Sequence, residues 1–148
     1  MPTPLRRRLA AVLLAAATVC AGLFVHVALP DGFETDAAGD ILYAVLIYLL
    51  VVILGPRLRP LFAAAVAFAW CAAVELFQLT GLPEIWGTAF RPLTLVFGTV
   101  FTTTDLVMYL AGVAFAFAVD AVWTALARSR GEHEAGTIVT PVDAEESP

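Results

Sequence analysis

From Leu61 to Leu79 the chain reads LFAAAVAFAWCAAVELFQL, an apolar run broken by polar residues only near its end, at Glu75 and Gln78. At about 1.5 Å per residue this run is as long as the hydrocarbon core of a bilayer is thick. A carboxylate within a membrane span costs about 2.5 to 3.5 kcal/mol even on lenient insertion scales, so it faces protein partners and not lipid. Glu75 and Gln78 lie three positions apart and project from one helical face. Counted back from Leu79, Glu75 sits only about 6 Å inside the end of the helix, within reach of loop residues. The rest of the chain has to supply what surrounds it.

Three further runs have membrane length. The first, about 9–29, follows the basic stretch Arg6, Arg7 and Arg8. It resembles a signal peptide, but the run is about twice the usual apolar region and no small-residue cleavage site follows, so an uncleaved helix is expected. The second, about 38–55, is preceded by the acidic stretch PDGFETDAAGD, which Pro30 and Gly32 mark as a loop. Asp40 then falls in the first turn of the helix, where a carboxylate suits the free amides and the dipole. The last, about 104–127, opens on Thr102, Thr103, Thr104 and Asp105, a strong capping run. On it Asp105, Tyr109 and Gly112 recur at steps of four and three and form one stripe, with Asp120 close to the same stripe further down. Asp120, near the far surface, reads as a structural polar contact or a water-facing group.

Between the third and fourth runs, PLTLVFGTVF (92–101) is too short to span as a helix and suits an interfacial or re-entrant segment, with Gly98 permitting close approach. The expected fold is therefore all-α: a four-helix transmembrane bundle with an additional short interfacial or re-entrant helix before the last span. Residues 1–8 form a basic terminus, 9–127 the membrane domain, and 128–148 an acidic tail expected to be disordered.

Composition agrees with this class. The 148 residues are 61% apolar and 14% charged, far below the roughly one quarter charged that is usual for soluble domains. All eight basic residues are arginines, and the only serines are Ser129 and Ser147 in the tail. A membrane serine hydrolase and a lysine Schiff-base enzyme both lack their nucleophile. No glycine-rich phosphate loop or basic stripe suggests a nucleotide or nucleic acid. Cys20 and Cys71, mid-span, read as small core residues, and no ligand spacing supports a metal or another cofactor.

Seven arginines (Arg6, Arg7, Arg8, Arg57, Arg59, Arg128, Arg130) fall on one side of a four-span arrangement and Arg91 alone on the other. This positive-inside pattern makes the chain a multi-pass protein of the plasma (inner) membrane with both termini cytoplasmic. Asp40, Glu75, Gln78, Arg91, Asp105 and Tyr109 then converge on one outer layer, with His26 at its edge. Two readings of that layer stay open. It is a clasp in which Arg91 pins the short segment across the bundle against Glu75, or it is a cleft that binds a ligand.

The series Gly39-Asp40, Glu75-x-x-Gln78, Arg91, Gly98 with Phe101, and Asp105-Leu106-x-x-Tyr109-x-x-Gly112 resembles the signature of a bacterial family of small membrane proteins, domain of unknown function 2809. More distantly it is similar to the VanZ-like membrane proteins. The resemblance covers roughly residues 9–127; one departure is Tyr43, where the family favours tryptophan. It implies the fold and a place in the cell envelope, and no reaction. Two function classes follow: a non-enzymatic structural or ligand-binding membrane protein, or an envelope factor acting on a lipid-linked or peptide ligand in the outer leaflet. A small oligomeric proton- or ion-coupled permease is a third, disfavoured by the small number of spans and the lack of an inverted repeat. Apart from that ligand, membrane lipids are the expected partners.

Overall fold

A computed structural model of the chain describes residues 3–30, 32–80 and 103–137, with side chains up to Ser129 in the last of these. Among the described residues there are four helices and no strand: α1 (Pro4–Ala28), α2 (Phe33–Leu54), α3 (Pro60–Gln78) and α4 (Thr103–Thr137). All four are long and apolar enough to cross a membrane, α4 over Thr103–Ser129. The chain is a multi-pass helical membrane protein. The expected short segment at 92–101, and Arg91 with it, lie outside the described residues.

Local chemistry sets the helix ends. The Thr3 hydroxyl accepts the Arg6 amide at 3.4 Å and Pro4 stands at the first helical position, where its missing N–H is no loss. Pro60 opens α3 in the same way. The stretch expected as an acidic loop is mostly helical, because α2 starts at Phe33 with Glu34 and Asp36 in its first turn, where acids complement the helix dipole. Asp40 is thereby carried about two turns into the helix. At the other end α4 runs to Thr137, through ten residues expected to belong to the tail.

The packing centres on α2, which lies against α1, α3 and α4, while α3 also packs on α4. Its interior is made of small residues. Ala44, Ala63, Ala67 and Cys71 are fully buried, whereas Leu13, Leu54, Leu61 and Phe115 point outward. Lipid solvates large apolar groups as well as protein does, so small residues that let backbones approach are what hold such helices together. Gly112 is the tightest instance. A Cβ there would come within 2.6 Å of the Ile41 carbonyl oxygen and 2.9 Å of the Ala44 Cβ. The α2–α4 crossing is therefore in backbone contact, and it sets Asp40 and Tyr43 opposite Asp105 and Tyr109. Cys20, expected in the core, is exposed, because α1 packs through one face only, on α2.

Candidate functional site

Three helices carry the polar layer that the sequence points to. Glu75 and Gln78 lie on the buried face of α3, one turn above Cys71. Tyr109 faces them from α4, one turn above Gly112, and Asp40 and Tyr43 complete the layer from α2, on the turn before Ala44.

Glu75 is 1% exposed. The Tyr109 hydroxyl donates to its Oε1 at 2.7 Å. Its Oε2 is buried and has no hydrogen-bond donor among the described residues. The carboxyls of Asp40, Asp105 and Glu75 lie close enough to act on one another electrostatically. Gln78 and Asp105 have further interactions beyond these.

Aromatic side chains wall the acids. The Tyr43 and Tyr109 rings lie 6.0 Å apart, tilted by 52°, a geometry favoured by the ring quadrupoles. The Trp70 indole N–H donates to the Tyr43 hydroxyl at 3.3 Å. Trp70 and Tyr43 thus tie α3 to α2 beside the layer, a pairing the sequence reading did not anticipate. Among the expected site residues, the structure brings Asp40, Glu75, Gln78, Asp105 and Tyr109 to one end of the bundle. It leaves His26 exposed in the last turn of α1. Arg91 lies outside the described residues. No group of three or more histidines, cysteines or acids among the described residues is placed to hold a metal ion.

A second polar node stands at the opposite end. Arg7 Nε donates to Asp120 Oδ1 at 3.0 Å and Nη2 to Oδ2, a bidentate pair. Arg7 Nη1 donates to the carbonyls of Pro56 at 2.9 Å and Leu58 at 2.6 Å in the α2–α3 turn, and the Tyr48 hydroxyl donates to Asp120 Oδ2 at 2.7 Å. Every element meeting there is held by one guanidinium. Sequence reasoning saw three equivalent arginines and a shallow aspartate. The signal available was periodicity, since Tyr109, Val113, Ala116 and Asp120 follow one stripe of α4 and Arg7, Ala11 and Ala15 one stripe of α1.

Between the two nodes the interior is apolar, with Ala44 on α2, Ala67 on α3, and Val113 and Ala116 on α4. The acids at one end and the ion pair at the other are separated by packed hydrocarbon.

A family model described as "Protein of unknown function (DUF2809)" matches residues 29–113. That stretch holds Asp40, Glu75, Gln78, Asp105, Tyr109 and Gly112, and leaves Arg7 and Asp120 outside. No curated protein and no solved structure matches the chain.

Proposed function

The chain belongs to the DUF2809 family, and on that premise we propose that it is a non-enzymatic binding protein of the bacterial cell envelope whose acidic layer receives a basic group. The host membrane is the plasma membrane, with the arginine-rich end cytoplasmic and the acidic layer outward, as the arginine distribution favours. The ligand is a lipid-linked or peptide amine or guanidinium presented from the outer leaflet.

One observation carries this reading: Glu75, nearly fully buried, has one oxygen satisfied by Tyr109 and the other, Oε2, without a donor among the described residues. A half-satisfied buried carboxylate is costly, and a cationic donor is the group that completes it best. Asp40 and Asp105 add negative potential on the same side. The apolar interior between this layer and the far end supports binding over passage of ions.

The test is titration of the purified chain in detergent with an amphiphilic amine such as dodecylamine, followed by thermal unfolding. Wild-type protein is stabilised by the amine, and Glu75→Gln folds as well as wild type but loses the stabilisation. If Glu75→Gln or Arg91→Ala instead lowers folded yield and melting temperature, and the amine has no effect on wild type, the layer is an architectural clasp and the binding reading fails.

A further inference from the structure

The surface between α1 and α4 carries a second feature, independent of the acidic layer. α1 packs on α2 and α4 packs on α2, so the two outer helices leave a groove between them that α2 floors. The groove has a volume of about 280 Å³ and an almost wholly apolar lining. Ala11 and Leu14 form one wall, Phe115 and Val119 the other, and Val45 with Leu49 the floor. Leu14, Phe115 and Val119 are about half exposed or more, so the groove opens sideways to the surroundings of the bundle, which in a membrane is lipid. At one end it terminates on the polar node, where Arg7, Tyr48 and Asp120 line it together with Trp123.

Size decides what fits. The groove runs along α1 from Arg7 to Thr18, about 16 Å of helix, and is open along its side. A single hydrocarbon chain matches that length. Charge then decides what the chain is attached to. Arg7 is committed to Asp120 and to two turn carbonyls. Arg6 and Arg8, immediately flanking it on α1, are exposed, and their side chains make no hydrogen bond among the described residues. Arg57, Arg59 and Arg128 are exposed at the same end of the bundle. Basic positions beside a gap between membrane helices attract anionic lipid headgroups.

We propose that this groove is a binding site for an anionic phospholipid, one acyl chain lying between α1 and α4 and the headgroup phosphate held by Arg6, which stands one turn before the groove-lining Ala10. The lipid then covers the open side of the Arg7–Asp120 pair and seals the face on which α1 and α4 do not pack.

Trp123 at the groove end serves as the reporter, in the full-length chain with Trp70→Phe and Trp86→Phe, reconstituted in nanodiscs. Phosphatidylglycerol or phosphatidylcholine with brominated acyl chains is titrated against the unbrominated lipid, and quenching of Trp123 is read at low ionic strength. The expected result is quenching by brominated phosphatidylglycerol at about fivefold lower mole fraction, since one arginine near an anionic headgroup is worth about fivefold. Arg6→Gln, at an exposed side chain, brings the two lipids to parity with unchanged helical content, whereas Arg8→Gln, on the opposite side of α1, leaves the preference intact. Ala10→Phe, placed at the groove rim, also removes the preference. Equal quenching by the two lipids in the parent protein overturns the proposal. So does a preference that survives loss of Arg6, or one that survives filling of the groove by Ala10→Phe.

Discussion

Arg7 and Asp120, 113 positions apart in the chain, meet as a bidentate ion pair whose side chains are only 8% and 12% exposed. Through this pair the first and last membrane helices, which both pack on α2, are joined to each other and to the turn between α2 and α3. A guanidinium with this many acceptors positions three segments at once, which a lysine in its place would not do.

Removing one partner of this pair leaves the other buried and uncompensated. Asp120→Ala and Arg7→Ala should each lower unfolding stability by about 3 kcal/mol. Replacing both, as Arg7→Met with Asp120→Leu, should restore most of the loss, because apolar groups of similar volume need no pairing there. Reversible unfolding in mixed micelles, arranged as a double-mutant cycle, checks this. Additive losses would show that the two residues act separately.

The α2–α4 crossing gives a sharper packing test. Gly112→Ala places a methyl group against the Ile41 backbone and Ala44 and should destabilise by about 1 to 3 kcal/mol through overpacking. Gly39→Ala, on the same pair of helices but with nothing within 4 Å of the added carbon, should be neutral or mildly stabilising. Similar melting temperatures for the two variants would mean that the helices separate at no cost.

Tyr109→Phe removes the hydroxyl that donates to Glu75 and leaves a buried carboxyl oxygen without it. The expected loss is about 1 to 3 kcal/mol, and it should shrink when Glu75→Leu is added, since an apolar side chain has no oxygen left to satisfy. Thermal melts of the two single variants and the double variant measure the coupling. A full-sized loss in the double variant would place the effect in ring packing.

The cysteines report on depth. Cys20 is exposed on α1 and Cys71 is fully buried between helices. In folded protein within a bilayer, a lipid-soluble maleimide should label Cys20 and spare Cys71, while a charged, membrane-impermeant maleimide should label neither from either side. Mass spectrometry after proteolysis assigns the labels. Rapid reaction at Cys71 would contradict the packing of α3.

Much of the architecture was legible because hydrophobic length is a local property. Four runs of membrane length need only counting, and Glu75 within the third announced itself by its cost. The stripe of Asp105, Tyr109 and Gly112 was legible too, since a fixed helical period places those side chains together wherever the helix goes. The start of α2 was less so: Gly32 with four acids between Asp31 and Asp40 reads as a loop, yet acids near a helix N-terminus stabilise the helix they seem to end. The status of Cys20 was not readable either, because in a span apolar on every side nothing in the residues distinguishes the lipid face from the protein face.

By itself the sequence determined that this is a helical membrane protein, where its spans lie, and that acids on three of them have to find company. The tertiary structure decided the company. Tyr109 meets Glu75, Asp40 meets Asp105, and Arg7, out of three consecutive arginines, reaches Asp120. The physical reason is that which helix neighbours which, and at what rotation, is set by close approach of small residues such as Gly112 and Ala44. Backbone contact of that kind is a property of two surfaces together and has no signature in either strand of sequence alone.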